Sequence, residues 1–154
     1  MNREDFQRQI CTITESLAGR VLNSDLAEFL NHEFPSQGEI FKAITNTCHV
    51  AIDAGWMCKH EAAGIRYGRV LRPSSELGDF SVDVVHMRDV AGPHHVHPQG
   101  EIDMVMPIDA SAKFDGHGAG WVVYESGSAH RPTVTDGAAL VLYLLPGGSI
   151  EFTT

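Results

Sequence analysis

The chain has 154 residues, 43% of them hydrophobic and 20% charged, with a formal net charge of −9 and a sequence pI of about 5.3. A chain of this length builds one ordinary domain whose core needs no staples, and the acidic balance argues against nucleic acid and anionic membranes as partners. No apolar run is long enough to span a bilayer, and residues 1–6 lack the basic-then-apolar order of a secretory leader. Three widely spaced cysteines, Cys11, Cys48 and Cys58, make no disulfide framework and read as small buried hydrophobes, so a reducing, cytoplasmic setting is expected.

The periodicity is helical up to about residue 55 and then turns to period two. Phe6, Ile10, Ile13 and Leu17 share one helical face, with Gly19 as a stop. A second helix is expected from Ser24 as N-cap, with Leu26, Phe29 and Leu30 inward and Pro35 at its end. Ser36-Gln37-Gly38-Glu39 reads as a capping box for a third helix, whose stripe is Ile40, Phe41, Ile44, Cys48 and Ile52, stopped by Gly55. From there short strands follow: 65–71, 80–90, one carrying His95 and His97, 101–108, 121–124, a strongly apolar one over 138–145, and a last one over 150–153. Residues 114–120, with three glycines, read as loop. Many short strands with Gly and Pro turns mean a sandwich or barrel. The expectation is a mainly β chain, a helical segment over 1–55 packed on a barrel over 56–154 as one compact domain, with the apolar helices making a homodimer plausible.

Six of the nine histidines fall between His86 and His130. The centre of interest is His95-Val96-His97-Pro98-Gln99-Gly100-Glu101. In a strand, residues 95 and 97 point to one face, so their imidazoles converge. The Pro-Gln-Gly turn lets Glu101 enter the same site from a neighbouring strand. Imidazole with carboxylate suits a divalent Fe, Mn, Zn, Ni or Co ion, and open positions imply catalysis. The best further ligand is His130, which follows the Gly127 turn. His94 has the opposite parity and belongs outside or behind the ligands. His86 is equally a core or a pocket residue, His117 a lid or an exposed residue, and His32 and His49 are structural. Cys58 and His60 are a minor candidate for a second site.

Residues 95–101 match the first motif of the cupin family, a His-x-His pair with a Glu four residues on, and 120–134 resemble the second, with Gly120, Gly127 and His130 in place. The resemblance implies a double-stranded β-helix, or jelly-roll, barrel in which His95, His97, Glu101 and His130 are the metal ligands. The chain departs from the pattern where Gly92 stands closer to His95 than usual, and where Ile108, Glu125 and Val134 replace the usual Gly, Pro and Asn. The whole layout resembles the bacterial 4-hydroxylaminobenzoate lyases: helices, then one barrel carrying Gly64-Ile65-Arg66-Tyr67-Gly68-Arg69 and Gly92-Pro93-His94-His95-Val96-His97. That implies conversion of a small aromatic acid, 4-hydroxylaminobenzoate, to protocatechuate (3,4-dihydroxybenzoate) and ammonia, a step of nitroaromatic degradation that consumes water without net redox change.

Around such a centre the candidate catalytic groups are Asp103, Tyr67 and His94. Asp103 shares Glu101's face and can move a proton or orient a ligand. Candidate substrate contacts are Tyr124 and two arginines, Arg66 and Arg69, with Arg72 and Arg131 as further cations able to clamp a carboxylate. Two other classes stay open: a non-haem iron dioxygenase acting on a small aromatic acid, and a binding cupin without turnover.

Overall fold

The apolar stripes of the first third form three helices, α1 (Arg3–Glu15), α2 (Ser24–Glu33) and α3 (Glu39–Asp53), in the computed structural model, which describes residues 2–153. Helix α1 is closed by an Asn2/Asp5 capping box, and it ends before Gly19. Two expected caps differ. Asn23, one residue earlier than Ser24, receives the Leu26 N–H at 3.0 Å. Gly38 caps α3 with no side-chain bond, so Ser36 makes no capping box. Phe41, Ile44, Cys48 and Ala51 form the buried stripe of α3, whereas Ile40, a hundred degrees off it, is exposed.

Ten strands follow: β1 (His60–Ala62), β2 (Ile65–Leu71), β3 (Phe80–Ala91), β4 (His95–His97), β5 (Glu101–Pro107), β6 (Lys113–Phe114), β7 (Gly120–Tyr124), β8 (Ser128–His130), β9 (Thr133–Pro146) and β10 (Glu151–Phe152). Seven build one sheet in the order β1-β2-β3-β9-β5-β7, with β6 also on β9. The other three form a small sheet, β10-β4-β8. The two face each other as a jelly roll of the cupin kind. Among the described residues no ladder closes them into a continuous barrel. The stretch 114–120, expected as loop, takes in the last residue of β6, Phe114, and the first of β7, Gly120. Strand β9 begins at Thr133, five residues before the apolar run that announces it.

The large sheet has two buried faces. Its outer face, with Val82, Val84, Ile102, Met104, Leu140, Leu142 and Leu144, packs against Phe6, Ile10 and Ile13 of α1, Leu30 of α2 and Ile44 of α3. Its inner face, with Val85, Val105, Val122, Val141, Tyr143 and Leu145, looks toward the small sheet. Burial on both sides explains why β9 reads as an unbroken apolar run. Among the described residues no helix is long and apolar enough to cross a membrane.

One polar contact docks the helices on the sheet. Asn31 of α2 accepts the Trp121 N–H at 2.9 Å and donates to the Trp121 carbonyl at 3.0 Å, while the Trp121 indole N–H donates to the Phe34 carbonyl at 2.9 Å. Gly120 is required beside it: a Cβ there would lie 2.7 Å from the Asn31 amide oxygen, at φ +139°. Asn31→Ala strands both backbone groups of Trp121 and is expected to cost about 1–3 kcal/mol in urea unfolding, with metal binding unchanged.

Candidate metal centre

Three side chains of the small sheet and one of the large sheet meet in the interior. Register does most of the placing. Strand β8 pairs antiparallel with β4 so that His130 lies directly opposite His95, and Ser128 opposite His97. His95 and His97 are buried, as their shared parity requires. The Pro98-Gln99-Gly100 turn then carries the chain across to the large sheet. Gly100 sits at φ +88°, and a Cβ on it would meet the Tyr124 carbonyl at 2.7 Å and Leu22 at 2.8 Å, so only glycine fits the crossing. Glu101 follows at once as the first residue of β5, wholly buried.

One ligand atom each from His95, His97, Glu101 and His130 lie within 4.8 Å of one another. Glu101 oxygens are 3.2 Å from His97 Nε2, 3.6 Å from His130 Nε2 and 3.7 Å from His95 Nε2, and the Nε2 atoms of His95 and His130 are 3.0 Å apart. Ligands about 2.1 Å from one ion stand about 3.0–3.4 Å from each other, which is close to this spacing.

The hydrogen bonds behind the ligands decide which nitrogen faces inward. His95 Nδ1 faces the Pro93 carbonyl at 3.3 Å, which can only accept. His97 Nδ1 faces Ser128 Oγ at 3.0 Å, and that hydroxyl spends its own proton on the Glu125 carbonyl at 2.5 Å, so it too accepts. His130 Nδ1 faces the Asp115 carboxylate at 2.6 Å. A neutral imidazole at each of the three positions therefore keeps its proton on Nδ1 and leaves a bare Nε2 for a cation at the centre. His97 Nε2 and both Glu101 oxygens have no hydrogen-bond partner. Converging lone pairs and an unpartnered carboxylate in a dry interior call for a cation, and three imidazoles with one carboxylate are a suitable donor set for a divalent transition metal.

Residues 8–152 match the family described as PnbB: 4-hydroxylaminobenzoate lyase. The chain belongs to the 4-hydroxylaminobenzoate lyase family. A 4-hydroxylaminobenzoate lyase of Nocardioides sp. (strain LMS-CY) is 32% identical over 145 residues, covering 88% of this chain and 86% of that one. One of Pseudomonas putida is 29% identical, covering 99% and 97%. Among solved structures, an RmlC-like cupin protein of Ralstonia eutropha JMP134 aligns with a TM-score of 0.47 and 10% identity over 60% of this chain and 62% of that one.

In this lyase-family chain the other expected site residues scatter. Asp103 is fully buried on Glu101's face with both oxygens unpartnered. Tyr124, opposite Glu101 on β7, packs against the His130 ring, centroids 4.4 Å apart and planes tilted by 46°, and gives its hydroxyl to Asp115 at 2.5 Å. Arg69 shares the inner face, since Asp103, Tyr143, Asp83 and Arg69 are successive cross-strand partners. It is held by Asp83 and by the Gly148 carbonyl. Tyr67 also has inner-face parity, but it is 41% exposed and lies against His60. Arg66 pairs with His86 in register with Leu140 and Met106, on the outer face, so the sheet separates it from the ligands. His94 turns to Thr153, 2.6 Å away. Arg72, His32 and His117 are exposed, and Arg131 reaches the Gly92 carbonyl.

Cys58 donates to the Val84 carbonyl and is buried, while His60 is exposed, so the two form no second ligand cluster among the described residues. Burial pushes the Cys48 and Cys58 thiols up to about 12 and about 11. The residue that sequence reasoning missed is Asp115, set in a stretch read as loop.

The electrostatics divide two neighbouring carboxyls. Burial raises Glu101, but the His130, His95 and His97 rings beside it, together with Asp103, outweigh it and hold this group well below the ordinary range in the metal-free protein. Asp103 goes the other way: burial, then the adjacent Glu101 charge, push it well above the ordinary range, so it keeps its proton. Without a metal, burial opposes charge on His130, yet its bonds to Asp115 and Glu101 prevail and raise it to about 9 from an ordinary 6.5. The stabilisation this gives the metal-free protein is whole below pH 6.5 and fades as pH rises through about 9. Thermal unfolding of chelator-treated protein is expected to show stability falling across that window, and His130→Gln is expected to flatten the slope.

Proposed function

We propose that the chain converts 4-hydroxylaminobenzoate to protocatechuate and ammonia, with a divalent transition metal held by His95, His97, Glu101 and His130. What carries the reading is the inward-facing Nε2 set beside an unpartnered Glu101, in a chain whose relatives are named for this lyase activity. A bound divalent ion supplies a Lewis acid at the buried end of the inner face.

The reaction consumes one water and is redox-neutral overall: the N–O bond takes up the electron pair that the ring gives up. Water adds at the ring carbon adjacent to the one that bears nitrogen, the hydroxylamine oxygen departs as water, and a second water hydrolyses the imine tautomer at the nitrogen-bearing carbon to release ammonia. The departing oxygen needs a proton. Asp103 is the buried acid in place to give it, held in the neutral form by burial and by the adjacent Glu101 carboxylate, whose face it shares. Once ionised it takes the proton back from the attacking water.

The ring carboxylate needs a cation away from the metal. Arg69 has inner-face parity, and its bonds to Asp83 and Gly148 use Nε and Nη2 only, which leaves two Nη1 donors for a ligand. Three strand spacings, about 14 Å, separate its backbone from that of Asp103, a span that the arginine side chain and a para-substituted benzoate share between them. Tyr124, bound to Asp115 and packed against the His130 ring, borders the ligand cluster.

Anaerobic assay of the chelator-treated protein, before and after adding Fe²⁺, Mn²⁺, Co²⁺, Ni²⁺ or Zn²⁺, tests the reading. Protocatechuate and ammonia are expected in equal amounts without oxygen, only with metal restored. A strict need for oxygen with a ring-cleaved product favours a dioxygenase instead, and ligand uptake without turnover favours a binding cupin. Asp103→Asn, which keeps the shape and loses the acid, is expected to lower kcat about 100-fold or more with KM little changed, in steady-state kinetics on the metal-loaded enzyme.

A further inference from the structure

We infer that Asp115 is the positioning residue that makes His130 a metal ligand, by fixing the ring's tautomer and direction from behind. The inference rests on the metal centre and is independent of the substrate.

His130 is the ligand most in need of such support. Its side chain is 12% exposed, against 2% for His95 and 0% for His97. Its backing is also the strongest of the three: a carboxylate at 2.6 Å, where His97 has a hydroxyl and His95 a carbonyl at 3.3 Å. Metal-bound histidines are commonly oriented in this way, and the partner raises the basicity of the ligating nitrogen.

Asp115 is itself fixed on every side. One carboxylate oxygen accepts both the His130 Nδ1–H and the Tyr124 hydroxyl, and the other accepts the Thr133 N–H at 2.9 Å. Its own N–H donates to the Thr133 carbonyl at 2.8 Å, in a turn closed by paired Phe114 and His117 bonds, also at 2.8 Å. The residue adopts φ +48°, a left-handed backbone that aspartate tolerates better than most side chains but that still costs about 1 kcal/mol or more. A strained, triply bonded carboxylate aimed at one ligand is a built feature of the site.

An amide at this position cannot serve. If the Asp115→Asn oxygen keeps the Thr133 N–H, its NH₂ faces His130 Nδ1, which must then accept, and the imidazole proton moves to Nε2, where the metal should be. If the amide flips, its NH₂ meets the Thr133 N–H, donor against donor. Tyr124→Phe, by contrast, leaves the His130–Asp115 bond intact.

The test is Co²⁺ titration of the metal-free full chain, followed by visible absorption with a competing chelator. Wild type is expected to bind one ion. Asp115→Asn and Asp115→Ala are expected to bind about 10–100-fold more weakly with an altered Co²⁺ spectrum, and Tyr124→Phe to stay within about threefold of wild type. Nitrogen-15 NMR of the Zn²⁺-loaded wild type is expected to show His130 protonated at Nδ1 and ligating through Nε2. This needs no variant and so decides the matter even if both Asp115 variants fail to fold. Wild-type affinity and spectrum in Asp115→Asn, or a His130 that does not ligate through Nε2, overturns the role given to Asp115 alone. Wild type that takes up no Co²⁺ overturns the metal centre and this role with it.

Discussion

Three imidazole nitrogens and a carboxylate point at one spot in the buried interior. Lone pairs in that arrangement repel unless positive charge sits among them. The rest of the site follows from that constraint. The β4–β8 pairing sets His130 against His95, Gly100 lets the chain cross to the other sheet without a side chain in the way, and Pro93, Ser128 and Asp115 hold each ring from behind. A cation satisfies all of these choices at once, and a single proton on His130 satisfies them only in part.

The same crowding separates two carboxyls in consecutive inward positions of β5. Glu101, surrounded by imidazoles, keeps its charge. Asp103, one inward step further and next to that charge, is driven to the neutral form. Two identical functional groups thus receive opposite protonation states from their surroundings, one suited to holding a cation and one to carrying a proton. The net charge of −9 plays no evident part in this, because the decisive interactions all lie inside the jelly roll.

Much of this was legible in the sequence where the relevant information is local. His95, His97 and Glu101 lie within seven residues, so strand parity and one turn suffice to bring them together, and His130 was reachable through its motif. The inner or outer face of a more distant strand is another matter. Parity says that Arg66 and Arg69 on β2 point to opposite sides, but which of them faces Glu101 depends on register through β3 and β9, and the ladder assigns Arg69 to the inner side. Asp115 was hidden for a similar reason. Its stretch has too many glycines to show a period, and its partners His130, Tyr124 and Thr133 become neighbours only once β6 lies along β9. The misplaced caps at Ser24 and Ser36 are a smaller effect: adjacent Asn23 competes successfully for the first turn of α2, and glycine heads α3.

Strand β9 gives the helices a part in the chemistry although they contribute no ligand. Leu140, Leu142 and Leu144 on one side are clamped by the helical layer, and Val141, Tyr143 and Leu145 on the other side pack toward the small sheet. A slip of one residue would exchange the two sets, driving leucines toward the ligands and burying a phenol under the helices. The helical layer thus acts as a ratchet pawl on the central strand: the hydrophobic teeth it engages on the outside determine which side chains face the ligand cluster within.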